Sequence, residues 1–167
     1  MNSFGTIIES DTIFFERLLP GRIENAWDYV SSPPLLAQWL AEVTLEPIIG
    51  GRIELYFNIS DADDRARAGS MVRGTVQRYE PPYSLAYTWS ESLVAFELAP
   101  HFDEVLLTLR HGGLPPALRQ TWTAGWHTHL DILQARMRNE KPESFLLAYR
   151  RLLRTYVDRA AALQMRP

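Results

Sequence analysis

Metal or acid–base chemistry in this chain would have to begin with its four histidines, because it contains no cysteine. That absence excludes disulfides, thiol nucleophiles and thiolate metal sites. His127, His129 and Asp131 have the residue types of a metal set. On a helix, however, residues two apart diverge by about 200°, so the two imidazoles cannot share one ion. His127 and Asp131 are four apart and can pair, on the outer side of a stripe that contains Trp126. His129 lies at the edge of that stripe, where it reads as a hydrogen-bonded core histidine or as a group reaching a cavity. His101 and His111 stand at strand ends beside proline and glycine and read as turn residues, with His111 placed to cap the sheet near a helix entry.

Asp61, Asp63 and Asp64, followed by Arg65 and Arg67, form a charge run. It lacks the glycine and closing glutamate of a calcium loop, so a solvated hairpin tip is expected. Glu42, Glu46 and Glu80 are isolated carboxylates. No serine sits in a nucleophile elbow, and Gly50-Gly51 and Gly112-Gly113 are lone turns with no phosphate-cradling pattern. No catalytic residue, metal or cofactor is therefore assigned.

The aromatic residues say more. Trp27, Trp39, Tyr87, Trp89 and Trp126, with Phe57, Phe96 and Leu130, fall on the apolar faces of successive elements. They make either a large core or the wall of a cavity, with His129 as a polar handle. Core and cavity wall share one sequence signature.

Those faces need elements to carry them. A first strand is expected over Ile7 to Leu19, ended by Pro20-Gly21. Arg22 to Val30 has helical spacing, and Ser31 or Ser32 with Pro33 opens a second short helix bearing Leu35, Leu36, Trp39 and Leu40. From Glu42 the apolar period falls to two. Ile53, Leu55, Phe57 and Ile59 share a face; a polar loop spans Ser60 to Ser70. Met71 to Tyr79, Ser84 to Trp89, Val94 to Leu98 and Val105 to Leu109 follow as strands. A helix opens between Pro116 and Thr121 and runs to about Asn139, with Trp122, Trp126, Leu130, Leu133 and Met137 as its stripe. Asp131, Gln134 and Arg138 lie away from that stripe. A last helix, about 142–163, carries Phe145, Tyr149, Leu152, Leu153, Tyr156 and Ala160. Strands joined by short connections favour an antiparallel meander, and the helices are the available cover for its apolar face.

A length of 167 residues suits one domain over 1–167, with a core of about 6–139 and the last helix as an addition. A composition of 46% hydrophobic and 22% charged residues is that of an ordinary globular protein. A net charge of −3 argues against nucleic acid or an anionic membrane as partner. No stretch approaches the roughly 18–20 apolar residues that span a bilayer. The N-terminal residues lack a basic segment followed by an apolar run, so a cytoplasmic location is expected.

The order strand, two short helices, antiparallel strands and long helix resembles the α+β helix-grip fold of the START and birch-pollen-allergen-like superfamily. Ala26-Trp27, Trp39-Leu40, Gly50-Gly51 before an alternating strand, and Gly74-Thr75-Val76 before Pro81-Pro82 narrow the likeness. So do Leu85 to Trp89, Leu107 to Leu114, and Gly125-Trp126 followed by Leu130 and Leu133. Over roughly residues 10–137 the chain is similar to the family related to the C-terminal domain of the heat-shock-protein-90 ATPase activator. The resemblance implies a curved sheet gripping a long helix with a pocket between them. It implies no single activity.

The expected function is binding of a hydrophobic or aromatic small molecule, without catalysis. A protein-interaction role in a stress or chaperone context is the first alternative, with chaperone contact resting on analogy alone. A cyclase- or hydrolase-type enzyme using the same pocket is the second. The additional helix packs on the body or makes a homodimer contact.

Overall fold

The computed structural model describes residues 4–9, 11–57 and 70–164, the side chains of 163 and 164 excepted. Eight strands form one antiparallel sheet: β1 (Thr6–Ile8), β2 (Thr12–Pro20), β3 (Glu42–Leu45), β4 (Arg52–Phe57), β5 (Ser70–Glu80), β6 (Ser84–Trp89), β7 (Ser92–His101) and β8 (Glu104–Gly112). Their order across the sheet is β1-β2-β8-β7-β6-β5-β4-β3. The chain meanders from β3 to β8 between nearest neighbours. The exception is the step from β2 to β3, which lie far apart in the sheet. Helices α1 (Ile23–Ser31) and α2 (Pro33–Leu36) make that crossing.

The expected first strand is two strands. Glu9 adopts a positive φ of 51°, and the chain turns back so that Ile7 pairs with Ile13. Its mixed apolar pattern has a second cause. Ile13, Phe15, Arg17 and Leu19 all face inward on β2, so a guanidinium occupies a core position. The other expected strands and helices form close to their anticipated bounds, except that α2 ends at Leu36 and leaves Trp39 and Leu40 in the turn that follows it. The expected Ile59 position, the polar loop after it and the charge run at Asp61, Asp63 and Asp64 lie outside the described residues.

Two local features curve the sheet. The β5–β6 register shifts between Val76 and Arg78, and such a bulge bends and twists its strand. Just before it stands Gly74. A Cβ there would lie 1.7 Å from the Thr88 carbonyl oxygen, so only glycine permits this backbone approach.

The concave face is filled by Phe15, Leu55, Leu85, Tyr87, Phe96 and Leu107, among others, all almost wholly buried. Helix α3 (Arg119–Met137) closes it, following a 3-10 turn at Pro116–Leu118. Trp126, Leu130 and Leu133 point into the sheet. The opposite face of α3 is also covered: Thr123, Ala124, His127 and Thr128 are buried. Helix α4 (Phe145–Gln164) does this, placing Leu152 and Tyr156 against Ala124. The additional helix therefore packs on its own chain, and α3 is sandwiched. The two threonines tolerate burial because each hydroxyl donates to a carbonyl one turn earlier, Thr123 to Arg119 and Thr128 to Ala124.

The flank of α3 that lies away from its apolar stripe is likewise engaged. β1 is three residues long and leaves most of β2's outer edge unpaired. Gln134 Nε2 donates to the Leu18 carbonyl on that edge (2.9 Å), and Asp131 pairs with Arg17 (3.6 Å). At the far margin the sheet ends in β3, four residues long, followed by an exposed turn bearing Ile48 and Ile49.

Candidate functional site

An open-sided cavity of about 620 Å³ lies between the first half of α3 and the sheet end formed by β4, β5 and the β6–β7 turn. Phe57, Val72, Trp89, Leu114, Trp122 and Trp126 supply its apolar wall. Gly125 contributes to the wall without a side chain, and His129, Ser90, Glu91 and Ser92 supply the polar groups. Four rings form a closed circuit: Phe57–Trp89 at 5.4 Å between centroids, Trp89–Trp126 at 5.6 Å, Trp126–His129 at 6.2 Å and His129–Phe57 at 6.2 Å. Trp122 stands edge-on to Trp89 at 5.6 Å. Edge-to-face and tilted pairs of this kind hold rings in fixed orientation.

Of the residues singled out from sequence, Phe57, Trp89, Trp126 and His129 meet at this cavity. Trp27, Trp39, Tyr87, Phe96 and Leu130 are in the filled core instead. Trp27 packs edge-on against Tyr79, and Trp39 against Phe96. The Trp39 indole N–H donates to the Tyr29 carbonyl (2.8 Å), which fixes the α2 segment to α1. Tyr87 is so enclosed that burial pushes its phenol well above the usual range. His129 Nδ1 lies 2.7 Å from the Trp39 carbonyl and donates to it, tying α3 to the short-helix segment.

His111 is not a turn residue. It sits on β8 opposite Val94, wholly buried, because the strand continues to Gly112 and the rings of Trp89, Trp122 and Trp126 enclose it. Trp126 Nε1–H donates to His111 Nδ1 at 2.8 Å. A neutral ring accepting at Nδ1 carries its proton on Nε2. That proton points at Ser92 Oγ, 2.7 Å away, and Ser92 in turn donates to the Trp89 carbonyl at 2.7 Å. Burial holds the imidazole down at about 3, so it is neutral. The pair has the composition of a serine–histidine dyad but the opposite direction: the hydroxyl receives a proton from histidine and does not yield one. Ser92 is thus not activated as a nucleophile.

A second buried chain runs on the other side of α3. The Gly5 N–H donates to Tyr156 Oη (2.8 Å), which lies 2.9 Å from His127 Nδ1. His127 Nε2 lies 3.5 Å from Asp131 Oδ1, and Asp131 faces Arg17. The expected i,i+4 pair exists, but α4 covers the outer side on which it lies. Burial first, then Arg17, Arg151 and Arg159, hold His127 at about 3. Burial pushes Tyr156 up to about 12. A neutral histidine and a neutral phenol make a structural tie. Among the described residues, no cluster of His, Cys, Asp or Glu side chains is arranged to hold a metal.

Sequence reasoning missed Ser92 and Glu91 at the β6–β7 turn, Leu114 and Leu118 beyond β8, and the cavity position of Trp122. Trp122 carried a signal, since it stands one turn before Trp126 on the same stripe. The turn residues carried none.

Residues 21–138 match the family described as Activator of Hsp90 ATPase homolog 1-like protein. The chain belongs to this family. The matched segment holds α1 through α3, and hence the whole cavity wall. None of the curated proteins matches the chain. The solution NMR structure of the protein encoded by gene BPP1335 from Bordetella parapertussis is 32% identical, covers 95% of this chain and 91% of its own, and superposes with a TM-score of 0.80. A conserved protein of unknown function from Enterococcus faecalis, EF2215, is 19% identical over 95% of this chain and 91% of its own, with a TM-score of 0.73. CalU16 from Micromonospora echinospora is 19% identical over 93% of each chain, with a TM-score of 0.69. The last two share the fold alone. For this family member the three alignments reach well past Arg138, so α4 lies within the span of fold that these proteins share. Among the described residues no helix is long and apolar enough to cross a membrane.

Proposed function

We propose that this family member is a non-enzymatic binding protein for a hydrophobic or aromatic small molecule, held in the cavity beside Trp89, Trp122 and Trp126. The observation that carries the reading is the wall itself: a cavity of about 620 Å³ lined by a closed circuit of rings. That volume lies within the roughly 300–1,000 Å³ typical of small-molecule sites. The reversed Ser92–His111 hydrogen bond supports binding over hydrolysis, since the best-placed hydroxyl has no base to take its proton.

The test is a titration with N-phenyl-1-naphthylamine, a neutral aromatic probe whose emission rises in apolar surroundings. Saturable one-to-one binding, with quenching of tryptophan emission, is expected. A Trp122→Ala variant should bind several-fold more weakly. Absence of saturable binding would overturn the reading, provided that a panel of neutral aromatic and aliphatic compounds also left the thermal midpoint unmoved.

A further inference from the structure

We infer that the cavity selects ligands bearing a positively charged nitrogen, typically an aromatic or alkyl ammonium, over neutral or carboxylate-bearing ligands of the same shape. The inference rests on the binding role proposed above and names the chemistry that the wall recognises.

Charge comes first. Glu91 is the one carboxylate among the described lining residues, and no lysine or arginine is among them. An anionic ligand would therefore lose water without gaining a counter-charge, and burial of an unpaired charge is costly. A cation meets a carboxylate at the rim.

Ring chemistry points the same way. The faces of aromatic rings are electron-rich and attract cations, tryptophan most strongly. Phe57 and Trp122 are only partly buried, so ring surface is available on the cavity side. The edge of a ring is where an anion would be welcomed, through the indole N–H. The Trp126 N–H is turned away from the cavity and spent on His111 Nδ1. The Ser92 hydroxyl likewise directs its hydrogen to the Trp89 carbonyl while accepting from His111, so it has no donor left for an anion. A rim carboxylate and π-faces suit a ligand that brings a positive charge.

A second cleft sharpens the contrast. On the far side of α3, about 710 Å³ of space is flanked by Arg119 and Arg159, with no carboxylate among its described lining residues. The two clefts thus have opposite electrostatic character on the two sides of one helix. An anion bound to this protein would be drawn to the arginine side.

The test is displacement of N-phenyl-1-naphthylamine at pH 8, above the ordinary histidine range, by three compounds of similar shape. They are benzyltrimethylammonium, its uncharged carbon isostere neopentylbenzene, and phenylacetate. Displacement reports the ring-lined cavity alone, so phenylacetate held at the arginine cleft would not register. Benzyltrimethylammonium should bind about tenfold more tightly than neopentylbenzene, and phenylacetate should be the weakest. Trp122→Leu keeps the apolar bulk but removes a π-face, and should lower the cation-to-neutral ratio to about two to three, the part left to Glu91 and the remaining rings. Glu91→Gln should lower the ratio about two- to threefold and abolish its salt dependence. A neutral or anionic compound binding as tightly as the cation would overturn this inference and leave the binding role standing. So would failure of all three to displace a probe that itself binds. A probe that does not bind at all would overturn both.

Discussion

Tyr156 Oη and His127 Nδ1 lie 2.9 Å apart, joining α4 to the back of α3 through two buried side chains. The phenol donates to the imidazole and accepts from the Gly5 N–H, so one oxygen ties together β1's approach, α3 and α4. Removing it with Tyr156→Phe leaves a part-buried N–H and a buried ring nitrogen unpaired. The variant should lose about 1–3 kcal/mol of stability, read as a lower urea midpoint. If the midpoint is unmoved, the tie contributes nothing, and α4 is held by its packing through residues such as Leu152 and Ala148.

Two buried neutral histidines make stability depend on pH. Both His111 and His127 fall from the ordinary 6.5 to about 3 on folding. Below pH 6.5 the unfolded chain therefore binds protons that the folded chain refuses. Their stabilising contribution is complete above pH 6.5 and is lost as pH falls toward 3. Each adds a slope of about 1.4 kcal/mol per pH unit in that window. Asp131, raised by burial against the pull of Arg17, opposes this trend at the acid end. Urea unfolding at pH 7.5, 6.0, 5.0 and 4.5 should show the decline, and His127→Gln should flatten it by about one proton. An unaltered slope in that variant would show that the imidazole does not titrate as described.

Ser92 provides a check on the absence of hydrolysis. Ser92→Ala strands the His111 Nε2–H and should cost about 1–3 kcal/mol in stability. Hydrolysis of p-nitrophenyl acetate by the parent protein should match that of buffer plus an equal concentration of free imidazole, and the variant should not differ. Saturable turnover that disappears with Ser92 would mean that the hydrogen-bond direction reverses in the working protein.

Gly74 is the sharpest test of the sheet. Gly74→Ala places a methyl group on the Thr88 carbonyl. The β5–β6 strands must separate, at a cost of at least about 3 kcal/mol. The expected result is poor soluble yield or a thermal midpoint lowered by at least about 6–12 °C, which is what such a loss implies for a domain of this size. A fully folded variant of parental stability would show that the strands part freely here.

The fold was largely legible because its elements announce themselves locally. Period-two alternation marked β4, β6, β7 and β8, and the Trp126-Leu130-Leu133 spacing marked the helix that closes the sheet. What escaped depends on contacts distant in sequence. No local pattern shows that α4 covers His127, so a histidine that local pattern placed on the outer side of the stripe is buried. Nor does one show that Arg17 would serve Asp131, more than a hundred residues away. The site divides similarly. Phe57, Trp89, Trp126 and His129 were recognisable as inward-facing groups and do meet at the cavity. Trp27, Trp39, Tyr87, Phe96 and Leu130 satisfied the same criterion, yet pack into solid core. Apolar character says that a residue faces inward. Whether it meets another side chain or empty space is decided by the whole assembly.

The sheet's margins carry one last consequence. β1 offers three residues and β3 four, and the exposed stretch of β2 is occupied by Gln134. A free edge that short is a poor template for strand addition, by another copy or by an extended peptide. Among the described residues, these edges favour a macromolecular contact made through side chains, and Ile48 and Ile49 are exposed at that margin.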